Sequence, residues 1–146
     1  MVIESRQNDI VKCARALVGK KARDAQGLHF IEGEKVISEA LRFGCTLTDA
    51  FIEQGHAAME TALYASGARV HAVSRSVMES LAQTDTPQWV CACVQTPDTT
   101  PPDAYPAGLI VALDAVQDPG NLGTILRTAD AMGACGLLLG DGCADP

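Results

Sequence analysis

Hydrophobic and polar residues along this chain fall into short blocks that switch repeatedly between helical and strand spacing. Ile10, Val11, Ala14, Leu17 and Val18 recur at helical intervals behind Ser5 and Asn8, whose spacing resembles a capping arrangement, and the segment ends near Gly19. Leu28 to Ile31 reads as a strand, Glu32-Gly33 breaks it, and Val36, Ile37, Ala40 and Leu41 mark a second helix that Gly44 stops. A strand around Ala50 to Ile52, a helix from His56 to about Ala65, a strand around Val70 to Val73 and a helix opened by Ser74 continue the alternation. Trp89 to Val94 (WVCACV) is apolar on both faces, the pattern of a central strand covered by helices on each side of a sheet.

The stretch TPDTTPPDAYPA, residues 96–107, holds four of the seven prolines, a composition that neither helix nor sheet can use. We read it as a semi-rigid linker and divide the chain at about residue 106, giving domains 1–106 and 107–146. Beyond it, Leu109 to Leu113 is a buried-type strand, and Asp118-Pro119-Gly120-Asn121 offers Pro and Gly to the centre of a type II turn. A helix follows with Leu122, Ile125, Leu126, Ala129 and Met132 on its apolar face. Gly133 ends it and Gly136 to Leu139 begins another strand. This is one βαβ unit of about 30 residues, too small to cover its own apolar surface.

At 146 residues and 47% hydrophobic, the chain has the size of one domain or two small ones. No apolar run approaches the roughly 20 residues needed to span a bilayer, and Arg6, Lys12, Arg15, Lys20, Lys21 and Arg23 interrupt any secretory h-region, so we expect a cytoplasmic protein. Residues 1–23 hold those six basic residues against Glu4 and Asp9, a balance of +4, while residues 24–146 balance at −11. A polyanion is therefore drawn to the N-terminal segment and repelled elsewhere. The six cysteines lack the CxxC pairs with His partners that structural zinc needs, so no metal is expected; Cys91 and Cys93, at strand spacing, read as core. His29, His56 and His71 stand apart and read as structural.

Residues 113–139, LDAVQDPGNLGTILRTADAMGACGLLL, resemble the first signature motif of the SpoU class of RNA ribose methyltransferases within the SPOUT superfamily. The likeness combines the Asp118-Pro119-Gly120-Asn121-Leu122-Gly123 segment with Arg127, Ala129 and the spacing to Gly133. Upstream, Ser5, Asn8, Lys12, Leu17, Lys21, Arg23, Phe30, Glu32 and Gly33 look like the opening of the small substrate-binding domain of many such enzymes, and Thr86-Pro87-Gln88 like its close. The implied fold is α/β: a small N-terminal domain resembling an RNA-binding ribosomal protein, followed by the first βαβ unit of an incomplete, knotted SPOUT domain.

The resemblance implies an rRNA or tRNA 2′-O-ribose methyltransferase, using S-adenosylmethionine and generally dimeric when complete. The motifs that hold the methyl donor are not found before Pro146, so the chain reads as a truncated enzyme with no cofactor-binding residues of its own. Arg127 is implied to activate the ribose hydroxyl or hold the adjacent phosphate. A guanidinium is a poor base at neutral pH, which favours the phosphate clamp. Spacing alone favours a surface pair of Arg127 with Asp130 at i+3, and it is the motif that reverses this. Asn121 is expected at the helix N-cap and beside the same site. Lys12, Lys20, Lys21 and Arg23 are candidates for RNA backbone contact, the last three in the loop after the first helix. The alternative is a non-catalytic RNA-binding fragment; a small-molecule α/β binding protein is a third reading.

Overall fold

The structure, a computed structural model, describes residues 2–100 and 102–144; Pro101 of the proline-rich stretch and Asp145-Pro146 lie outside them. Contacts group the chain into two compact units that divide after Asp98, at the head of that stretch.

The first unit contains α1 (Asp9–Ala16), α2 (Lys20–Gln26), β1 (Leu28–Glu32), α3 (Glu34–Arg42), β2 (Leu47–Ile52), α4 (Ala57–Ala65), β3 (Arg69–Ala72), α5 (Arg75–Leu81) and β4 (Val90–Gln95). Its strands form one mixed sheet in the order β1-β4-β2-β3, with β4 antiparallel to both neighbours and β2 parallel to β3. The expected central strand is therefore β4, and Val90 to Val94 are all buried. Alternation along β4 divides the core. Cys91 and Cys93 pack with Val11 and Ala14 of α1, Leu17 at its C-terminal cap, Phe51, and Val77, Met78 and Leu81 of α5 on one face. Val90, Ala92 and Val94 pack with Ile37 of α3, Ala50, Ile52, and Met59 and Leu63 of α4 on the other.

Three local readings change. Asn8, not Ser5, caps α1, its side-chain oxygen accepting from the Ile10 N–H at 3.0 Å. Ile10 and Val18 are exposed rather than part of the buried stripe. The basic residues Lys20 to Arg23 lie on a helix, not in a loop. KKARDAQ has no apolar period to announce α2, and none of its residues is buried. It is held from its ends: the Arg23 Nη1 donates to the Leu17 and Val18 carbonyls at 3.2 and 2.9 Å, occupying acceptors that the end of α1 leaves over. Gly27, at φ +61°, closes it in a left-handed cap.

The second unit is β5 (Ile110–Leu113), α6 (Pro119–Ala131) and β6 (Gly136–Leu139), the two strands paired in parallel from Ile110↔Gly136 to Leu113↔Leu139. The expected type II turn is instead the first turn of α6. Pro119, whose fixed φ and missing N–H suit the first helical position, starts the helix, and Asp118 caps it. Gly140 brings the chain close to the end of β5: a Cβ there would lie 3.1 Å from the Leu113 carbonyl oxygen. Leu122 is the buried apolar residue of this unit, whereas Leu109, Leu126, Met132 and Leu138 are exposed.

Candidate functional site

The start of α6 gathers the chemistry of the second unit. The Asp118 carboxylate accepts from the Asn121 backbone N–H at 2.7 Å, so Asp118 holds the capping position expected of Asn121. Asn121 belongs to the first turn, and its exposed side-chain amide makes no hydrogen bond to the described residues. One turn on, Thr124 Oγ1 donates to the Gly120 carbonyl at 2.8 Å and accepts from the Arg127 Nη2 at 3.2 Å. Arg127 thus points back toward the helix N-terminus rather than forward to Asp130. Its path crosses Gly123, where an added Cβ would come within 3.3 Å of the Arg127 Nη1. A guanidinium reaching back to Thr124, an exposed amide in the first turn and the positive end of the helix dipole are each donors suited to an anionic oxygen. Among the described residues, no hydrogen bond joins Asn121 to Arg127 directly.

In the first unit, Lys12 makes a surface pair with Asp9 at 3.3 Å, and Lys20 and Lys21 lie on α2. Arg23 is half-buried, with its Nη1 engaged by the end of α1, which gives it a structural role that the sequence reading lacked.

Two polar arrangements escaped that reading. The Glu32 carboxylate accepts from the Gln83 N–H (2.9 Å), the Gln88 N–H (2.9 Å) and the Thr84 hydroxyl (3.1 Å). One residue at the end of β1 thereby pins the loop that leads into β4. The second is Asp49, a buried charged residue 8% exposed, whose carboxylate accepts from the Arg69 Nη2 at 2.6 Å and meets the His71 Nε2 at 2.8 Å. Burial pushes this carboxyl up, but hydrogen bonds from Arg69 and His71, and their charges, outweigh it and hold the pKa below the ordinary value. A charged residue inside β2, opposite Arg69 on β3 and two positions from the partner of His71, was its signal.

Burial raises the thiol of Cys91 well above its ordinary value, and burial followed by the Asp49 charge pushes that of Cys93 up to about 12, so neither is a nucleophile near neutral pH. Among the described residues, no cluster of His, Cys, Asp and Glu could hold a metal ion, and no helix is long and apolar enough to cross a membrane.

Comparisons with known proteins follow the same division. The MRM3-like substrate binding domain matches residues 8–92, and the SpoU rRNA Methylase family matches residues 108–146. The chain is 35% identical over 146 residues to the 23S rRNA (guanosine(2553)-2′-O)-methyltransferase RlmP of Bacillus subtilis, covering 98% of this chain and 56% of that protein. It is 31% identical to the mitochondrial rRNA methyltransferase 3A of Danio rerio, covering 94% of this chain and 33% of that one. Among solved structures, an AdoMet-bound rRNA methyltransferase from Sinorhizobium meliloti superposes with a TM-score of 0.85 at 36% identity, over 100% of this chain and 56% of that one. The chain thus spans about half the length of the bacterial relatives it matches. With a substrate-binding unit and a methylase segment in the same order as those relatives, this chain belongs to the SpoU family of RNA methyltransferases.

Proposed function

We propose that the chain serves an RNA 2′-O-ribose methyltransferase acting on rRNA or tRNA, with S-adenosylmethionine as methyl donor. The observation that carries this reading is Arg127, tethered by Thr124 over Gly123 at the open end of α6. In-line attack of a ribose 2′-OH on a methyl group depends on positioning, and a guanidinium fixed beside a helix N-terminus holds the neighbouring phosphate. Arg127 is the clamp in this scheme. Asn121 supplies an exposed amide in the first turn of the same helix, and Lys12, Lys20 and Lys21 hold the RNA backbone, with Arg23 bracing α2 against α1.

The cationic donor set at α6 suits an anionic oxygen and does not fit the sulfonium of S-adenosylmethionine, which is positively charged. When bound, S-adenosylmethionine supplies the methyl group. Dimerisation and a cytoplasmic location are part of the same proposal.

The exposure of Leu109, Leu126, Met132 and Leu138 favours a second reading for the chain by itself, namely RNA binding without methyl transfer. The two separate in one assay: transfer of tritiated methyl from S-adenosylmethionine to ribosomal RNA, by this chain and by the product of its complete reading frame. The proposal expects label from the complete product in an alkali-resistant dinucleotide, the mark of a blocked 2′-OH. Label on a base, or none in RNA, overturns it.

A further inference from the structure

A groove beneath α1 in the first unit has no part in the scheme above. It encloses about 320 Å³, within the range of about 300–1,000 Å³ usual for sites that receive a small organic group. Ile10 and Cys13 of α1, Gln26 at the end of α2, Leu28 at the start of β1 and the Asp49–Arg69 pair line it. Its chemistry is mixed in a specific way. The walls are largely apolar, and a carboxylate sits 2.6 Å from a guanidinium, placing a hydrogen-bond acceptor directly beside donors. The edge of a nucleobase carries the complementary mixture of donors and acceptors.

Charge selects the occupant. Helices α1 and α2 together hold five Lys/Arg against Asp9 and Asp24, a balance of +3, while at the groove itself Arg69 is paired with Asp49 and Asp9 also lines the wall, so the attraction comes from the helices rather than from the groove lining. Helices α3 and α4, which pack on the opposite face of the sheet, hold Lys35 and Arg42 against Glu34, Glu39 and Glu60, a balance of −1. A polyanion approaches from the α1 side. The opposite side offers competing aromatics, Tyr64 of α4, 60% exposed, and Phe43, 75% exposed with the Arg42 guanidinium 5.6 Å from its ring centroid, the kind of pair on which an unpaired base stacks.

We propose that the groove receives an unpaired RNA nucleobase, its edge held by Asp49 and Arg69, while the flanking phosphates run along Lys12, Lys20 and Lys21. This rests on the RNA-binding reading above and adds to it a site that distinguishes single-stranded from paired RNA.

The cysteines provide the test. Cys13 is exposed and lines the groove, Cys45 is exposed after α3, and Cys91 and Cys93 are buried. The chain is alkylated with N-ethylmaleimide in the presence of a mixed-sequence single-stranded RNA or the corresponding duplex, and the modified peptides are quantified by mass spectrometry. Binding is followed in the same samples by fluorescence anisotropy. Saturating single-stranded RNA is expected to slow modification of Cys13 about tenfold, as burial of a contact site does, and to leave Cys45 unchanged, with the duplex protecting Cys13 less.

Ile10→Glu, at an exposed helical position, is expected to keep the circular dichroism of the parent and weaken single-strand binding about tenfold, while Phe43→Glu changes it less than about twofold. RNA binding with Cys13 unprotected, or with Cys45 protected in its place, overturns the groove while leaving RNA recognition standing. Absence of RNA binding removes both.

Discussion

Gly123 leaves room for Arg127 to lie back along its own helix, where an added Cβ would push the guanidinium aside by a few tenths of an ångström. A Cβ at 123 would stand 3.3 Å from the guanidinium, closer than most real contacts of that kind. Gly123→Ala should therefore separate stability from function: a mid-helix alanine gains up to about 1 kcal/mol over glycine, while the displaced guanidinium loses its hold on the phosphate. The expected outcome is an unchanged or higher unfolding midpoint together with slower methyl transfer, and a wild-type rate in Gly123→Ala would contradict it. Asp49 gives a prediction in pH. Its pKa in the folded protein lies below the ordinary 3.8, so its contribution to stability is complete above about pH 4 and is lost as pH falls through the lowered value. Urea unfolding should show that loss in the parent and a shallower acid decline in Asp49→Asn, which at pH 7 should be less stable by about 1–3 kcal/mol, the value of hydrogen bonds to a buried charge. Equal stability at pH 7 would refute this. Both residues are present in the sequence as plain letters. Gly123 was legible only through a motif, and Asp49 only as an interruption of an apolar run, because neither spacing nor composition reveals which side chains meet across strands.

Among the elements, β4 was fully legible: an unbroken apolar run has to be covered on two sides, and its alternate residues divide between two cores. Helix α2 was not, since a helix without an apolar face is held by its ends, and the Arg23 guanidinium that does this belongs to the same charged run that disguised it. The start of α6 was misread for a related reason. Asp-Pro-Gly-Asn serves equally as a turn or as a cap with Pro in the first helical position, and the side chain that receives the Asn121 N–H decides between them. The loop before β4 depends on Glu32 at the end of β1, far away in sequence. Glu32→Ala should leave the sheet intact and release the loop, so that the Gln83 and Gln88 amides exchange with deuterium at least about tenfold faster while the β4 amides keep their protection. Unchanged exchange at Gln83 and Gln88 would mean that the loop holds itself.

At the level of the whole molecule, contacts group the chain into two units that divide after Asp98, and each packs in its own way. The first encloses two cores around a four-stranded sheet. The second leaves Leu109 half exposed and Met132 72% exposed around a two-stranded sheet, in a chain that spans about half the length of its bacterial relatives. The account assigns the parts different work: basic helices of the first hold RNA, and the start of α6 in the second orients the reacting ribose. Steady-state methyl transfer to ribosomal RNA by the product of the complete reading frame, with Arg127→Ala and the combined Lys12→Ala, Lys20→Ala, Lys21→Ala variant set beside the parent, tests that division most directly. We predict that Arg127→Ala lowers kcat about 100-fold with KM for RNA little changed, and that the lysine variant raises KM while keeping kcat. Undiminished kcat in Arg127→Ala, or a lysine variant that binds and turns over like the parent, would contradict the account.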